Sequence, residues 1–371
     1  MSKVDGMVED GFETILEAFA EAQLQDEGGA QLCIYRYGKR VVDLWTGRDK
    51  VNDRPYTADT ISIIMSCGKG VTATCAHLLV ERGLLDSDAP VAHYWPQFAA
   101  NGKANIPVSY LLSHRAGLPS FPPESGIALN EELDWNRCVT ALASMKPLWT
   151  PGTAFMYHQF IYCYLVGEVI RRVSGKTVGR FFAEEVAGPL NLDLWIGLPE
   201  HEEHRVAPVF SSAPLDPVSA AMGQFLNRRE THVAEIPSLN GIGNARSLAK
   251  MYAAIIGEVD GVRLLGRDTV ERARKPQADG LPEIEPGPYP LRFALGYELS
   301  RTGSPMLGNG SFGHAGAGGR LGFVHPESGI AVGYVCNNML WDYTRGPDDR
   351  WLPRRLAVPT DRSSAQRCSA R

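Results

Sequence analysis

The chain has 371 residues, 44% apolar and 21% charged, with 38 Gly and 25 Pro. That is globular composition, and it excludes global disorder and a collagen-like fibre. The net charge of −5 gives no pull toward nucleic acid or an anionic membrane, and no run of about 18 apolar residues exists to span one.

The length suits two or three units or one large one. The first 23 residues carry Asp5, Glu9, Asp10, Glu13, Glu17 and Glu21, where a signal peptide needs a basic start and an apolar core, so a cytoplasmic location is expected. Phe12, Ile15, Leu16 and Phe19 recur at helical spacing and predict a helix. Two strand-like runs, 30–37 and 40–45, split at Gly38-Lys39, predict a hairpin. A short apolar run, 61–65, leads into Ser66 and a long helical pattern ending near Arg82, with Gly83 where a helix-terminating glycine belongs. From about 85 to 240, helical patterns (108–112, 136–144, 160–173, 178–186) alternate with Pro- and Gly-rich loops. The segment 209–235 reads as a loop overhanging a cleft. Strand signals return at 293–299, 321–324 and 330–335, the last two joined by a turn at 325–329. One economical solution is a sheet built from both chain ends with a helical insertion between them. The seven cysteines, odd in number and without C-x-x-C, read as free thiols.

Several familiar signatures fail. His201-Glu202-Glu203-His204 has no third ligand nearby and reads as a solvated acidic loop. Ser174-Gly175-Lys176-Thr177 lacks the first P-loop glycine, since Ile170 stands there. No G-x-S-x-G occurs. The strong candidate is Ser66-Cys67-Gly68-Lys69. A Ser and a Lys three apart at a helix start share one face. The helix N-terminus and burial both disfavour an ammonium, so a neutral Lys69 can accept the Ser66 proton. The Ser66 backbone N–H is a candidate oxyanion donor. A second candidate is Tyr157, between the Pro151-Gly152 turn and a helix. It is either a proton relay beside Lys69 or a partly buried core tyrosine. The third is the run from Gly313 to Arg320, expected at the sheet edge. Its small residues let backbone approach a ligand, with the Ala317 N–H as second oxyanion donor and His314 adding a hydrogen bond; the alternative is a glycine-rich turn with an exposed histidine. Met65, Cys67, Phe155 and His158 flank these motifs and are either pocket walls or core.

Ser66–Lys69, Tyr157-His158-Gln159 and His314-Ala315-Gly316 stand in a known order. With 111–118, 149–153 and 240–245 in support, residues 10–340 resemble the serine β-lactamase and penicillin-binding-protein superfamily, in particular class C β-lactamase-like proteins and family VIII carboxylesterases. The resemblance implies an α+β fold: a mostly antiparallel sheet flanked by helices (1–84 with 245–352) and a helical insertion (85–244), with the site between. It implies an acyl-enzyme route with Ser66 as nucleophile and Lys69 with Tyr157 as base and acid. The oxyanion would rest on Ser66 and Ala317, with Gly316, Gln159 and His314 among the substrate-binding residues. No metal or cofactor is implied, and the expected partner is a small-molecule ester. Gln159 replaces the usual Asn, and His314 replaces the lysine that helps bind a penicillin carboxylate. Both departures favour an esterase over a β-lactamase or D-amino-acid peptidase. Acyl transfer to a small alcohol or amine is a further option, and a non-catalytic binding protein is disfavoured by the intact Ser, Lys and Tyr. The family usually closes with a helix. Here Pro353 and Pro359 interrupt one, and 353–371 reads either as a disordered basic tail or as an altered terminus. Residues 354–371 carry +4, which leaves −9 on the rest.

Overall fold

The computed structural model describes residues 3–24, 26–127, 133–286 and 290–339, with the backbone of two short paired strands, Trp341–Asp342 and Gly346–Pro347. The expected tail, 353–371, lies outside the described residues. Strands β1 (Asp5–Val8), β2 (Gly29–Arg36) and β3 (Lys39–Asp49) come from the N-terminal part, and β8 (Glu298–Leu299), β9 (Phe312–Ala315), β10 (Leu321–His325) and β11 (Ile330–Cys336) from the C-terminal part. They form one antiparallel sheet in the order β1-β3-β2-β11-β10-β9-β8, with β4 (Arg54–Pro55) beside β3. The two contributions meet where β2 pairs with β11, from Ala30 opposite Cys336 to Arg36 opposite Ile330. The antiparallel sheet flanked by helices is the architecture expected from the sequence.

Alternating side chains give the sheet two apolar faces. Helix α1 (Glu13–Gln23) lays Ile15 and Phe19 on one, against Ile34, Val42, Phe323 and Val332. The other is covered by α2 (Cys67–Glu81) and a later helix, Ala245–Ile256. That helix lies close to the sheet because Gly322 and Gly333 stand under it. A Cβ at Gly333 would sit 2.2 Å from the Ala245 carbonyl. The helical part includes α3 (Val108–Leu112), α4 (Trp135–Ser144) and α5 (Tyr162–Ser174), all within two residues of their predicted starts. A small second sheet, β5 (Ser62–Ile63) with β7 (Ile242–Gly243) and β6 (Leu194–Trp195), ties this part to the run before Ser66.

Three expectations are corrected. The strand predicted at 293–299 is reduced to Glu298–Leu299. Gly296 breaks it with φ +84, at a point where a Cβ would meet Ala73 and the Tyr162 hydroxyl. The Gly313–Arg320 run is second from the sheet edge, because β8 pairs outside β9. The segment 209–235 holds helices Pro217–Leu226 and Arg229–Val233. Asp216 caps the first by accepting from the Val218 and Ser219 N–H groups, with Pro217 in the first turn. Those same residue types had read as loop chemistry. Six cysteines (33, 67, 75, 138, 163 and 336) are buried thiols outside any disulfide. No helix among the described residues is long and apolar enough to cross a membrane.

Candidate active site

Ser66 follows β5 through Met65, whose φ of +51 turns the chain sharply into α2. A non-glycine residue held there carries backbone strain. Ser66 is half-buried, whereas Lys69, one helical turn on, is wholly buried. Lys69 Nζ donates to Ser66 Oγ at 3.0 Å and to the Ser238 carbonyl at 3.4 Å. Burial pushes its pKa down to about 7, against smaller opposing pulls from Cys163, Cys67 and Glu298. A substantial neutral fraction at physiological pH makes it a usable base. The Ser238 carbonyl arrives on the short helix Pro237–Asn240. Gly68 admits it, since a Cβ there would lie 1.8 Å from the Pro237 oxygen. The Ile64 N–H donates to the Gly241 carbonyl at 2.8 Å and fixes the two segments side by side.

Tyr157 lies over this pair. Lys69 Nζ stands 4.8 Å from the centre of its ring. Phe293 stacks on the ring at 5.7 Å and 3°, and the His114 ring meets it at 5.1 Å. The residues on either side of Tyr157 both donate to His114 through the backbone: Met156 N–H to its carbonyl and His158 N–H to its Nδ1.

The glycine turn closes the site from the sheet side. The Gly316 N–H donates to the Arg320 carbonyl at 2.7 Å, and Gly318 and Gly319 take φ of +76 and +105. The Arg320 guanidinium is fully buried. It donates to the Ile63 carbonyl at 3.1 Å and the Ala317 carbonyl at 3.0 Å, joining the turn to the strand that leads to Ser66. Cys67 Sγ donates to the His314 carbonyl across the same seam. Gly316 is required, because a Cβ would lie 2.5 Å from the Ile64 oxygen. Among the described residues, neither the Ser66 nor the Ala317 N–H donates to another backbone group. Both remain available to a ligand oxygen.

His314 is buried rather than exposed on a turn, with its ring 6.1 Å from that of Tyr157. Its Nδ1–H donates to the Ala315 carbonyl at 2.7 Å, which leaves the lone pair on Nε2. Burial lowers its pKa to about 4, against a smaller pull from Glu298, so the imidazole is neutral. Gln159 is exposed beside the motif. Met65, Cys67 and Phe155 are buried in hydrophobic clusters, and His158 is buried beside the His114 ring. Ser66, Lys69, Tyr157, His314, Gly316 and Ala317 are thus brought together, and Gln159 is exposed two residues beyond Tyr157. Sequence reasoning missed Ser238, His114, Phe293 and Arg320. Of these, His114 and Arg320 carried a signal, from their places in the segments 111–118 and 313–320.

Residues 16–352 match the family model described as Beta-lactamase. The chain is 35% identical to the Esterase/beta-lactamase LipL of Mycobacterium tuberculosis (strain ATCC 25618 / H37Rv), covering 91% of this chain and 84% of that protein. Among solved structures, a family VIII carboxylesterase superposes with a TM-score of 0.85 at 34% identity, covering 96% of this chain and 99% of the other. A penicillin-binding protein homologue from Caulobacter crescentus superposes at 0.82 and 31%, over 96% and 99%.

Proposed function

Since the chain belongs to the β-lactamase family and is a serine hydrolase, we propose that it cleaves carboxylic esters with short-chain acyl or aryl groups through an acyl-enzyme on Ser66. The observation that carries this reading is the Ser66–Lys69 pair, 3.0 Å apart, with the amine held at a pKa of about 7 by burial. Neutral Lys69 takes the proton as Ser66 Oγ attacks the ester carbonyl. The resulting oxyanion is held by the N–H groups of Ser66 and Ala317, whose turn is braced by Arg320. Tyr157 passes a proton to the departing alkoxide. The same group then activates a water that releases the acid and frees Ser66.

The preference for esters over penicillins rests on His314. A neutral imidazole cannot supply the fixed positive charge that a lysine offers to the drug's carboxylate. The test is a panel of p-nitrophenyl acetate, p-nitrophenyl butyrate and nitrocefin, run on wild type and Ser66→Ala. Ester turnover that vanishes in Ser66→Ala is expected. Undiminished ester hydrolysis by that variant would overturn the nucleophile, and nitrocefin turnover without ester preference would overturn the substrate class.

A further inference from the structure

We propose that His114 is a positioning residue for Tyr157, acting on the reaction only through that tyrosine. The inference rests on the reading of Tyr157 as the proton carrier. His114 follows α3 at φ +63, a left-handed conformation that costs a non-glycine residue free energy. The cost is sustained by packing: its ring lies 4.3 Å from that of Phe293, 5.2 Å from Tyr162 and 5.4 Å from His158. The left-handed turn lets one residue present two acceptors to the same segment. The carbonyl takes the Met156 N–H at 3.2 Å and Nδ1 takes the His158 N–H at 3.1 Å. These are the N–H groups of the two residues that flank Tyr157. A third contact, His158 Nδ1–H to the Met156 carbonyl at 2.6 Å, closes the bracket. The His114 ring meets the Tyr157 ring at 5.1 Å and 61°, side by side with Phe293. Accepting at Nδ1 requires a neutral ring with its proton on Nε2. Burial, helped by His158, Lys69 and His314, keeps it neutral by holding its pKa well below the ordinary value.

A side chain serving the core alone would need only its shape. Phenylalanine supplies that shape but leaves the buried His158 N–H without an acceptor. Asparagine places an oxygen near the Nδ1 position and tolerates the left-handed backbone. Glutamine extends its amide one methylene too far.

The experiment is a double-mutant cycle of His114→Phe, His114→Asn and His114→Gln in the wild-type and Tyr157→Phe backgrounds. It reads kcat/KM on ethyl butyrate and p-nitrophenyl butyrate, with thermal unfolding alongside. We expect His114→Phe and His114→Gln to lower kcat/KM on ethyl butyrate by about 10- to 100-fold, and His114→Asn to recover most of it. The loss should be smaller on the p-nitrophenyl ester, whose leaving group needs no proton. In the Tyr157→Phe background the His114 substitutions should change kcat/KM by less than about twofold. Equal losses in both backgrounds, or equal activity of the Asn and Gln variants, would overturn the inference. If His114→Phe does not fold, the Asn and Gln pair completes the cycle. A Tyr157→Phe variant with wild-type activity would instead overturn the role given to Tyr157.

Discussion

Replacing Lys69 by Met separates its catalytic value from its cost to the fold. The thioether keeps roughly the same volume and carries no charge. In the native protein burial brings the Lys69 pKa from 10.5 to about 7, a difference on the order of 5 kcal/mol. Below pH 7 both native and unfolded chains hold the proton, and the whole cost of burying an ammonium stands. Between about pH 7 and 10.5 the unfolded chain keeps a proton the native one has released, so wild-type stability rises with pH across that window. Lys69→Met has no such group. Its advantage is therefore largest at about pH 6, crosses zero near pH 9 once the lost hydrogen bonds are counted, and is a deficit of about 2 kcal/mol by about pH 10.5. Lost hydrogen bonds to Ser66 Oγ and the Ser238 carbonyl, at about 1 kcal/mol each, leave a net gain near 3 kcal/mol at pH 6. Without the base, ester hydrolysis falls by about 100- to 10,000-fold. Chemical denaturation of both proteins from pH 6 to 10, with kcat/KM at each pH, provides the check. Parallel stability curves would refute the reasoning, because a lysine charged in the native state across the range contributes no such slope.

The same pKa predicts that kcat/KM of the wild type rises with pH and levels off above a midpoint near 7, where the free enzyme's Lys69 loses its proton; a flat profile from pH 5 to 9 contradicts it. Gly68→Ala should cost about 1–3 kcal/mol in stability and displace the Ser238 carbonyl from Lys69, because its Cβ would overlap the Pro237 oxygen. A drop in the unfolding midpoint together with a shifted pH midpoint is the expected pair of readouts.

The local parts of the site were legible in the sequence. Ser66 and Lys69 meet because three residues make one helical turn, a relation any S-x-x-K at a helix start carries with it. The parts that tune the site were not. Ser238 reaches Lys69 across 169 positions, through a second sheet of two-residue strands too short to show periodicity. Arg320 reads as a surface cation from its type, yet it lies wholly buried between two carbonyls. In the fold, the hairpin at Gly38 and the helices from 108 to 174 followed from periodicity and punctuation. Helix Pro217–Leu226 did not, because an Asp-Pro start looks the same as a turn until the capping bonds are seen. The shortened strand at 298 has a single cause, the left-handed Gly296.

The seam between β2 and β11 also bears on how the molecule comes to exist. Hydrogen bonds that join residue 30 to residue 336 close a loop containing most of the chain, the kind of contact that slows folding. A ribosome delivers Ser66 and Lys69 long before the glycine turn with Ala317. Until β9, β10 and β11 emerge, β2 presents an unpaired apolar edge, and Ser66 lacks the Ala317 N–H that we propose as the second oxyanion donor. Chains interrupted before Ile330 therefore carry the S-x-x-K pair without a finished site, and their exposed strand makes them candidates for aggregation.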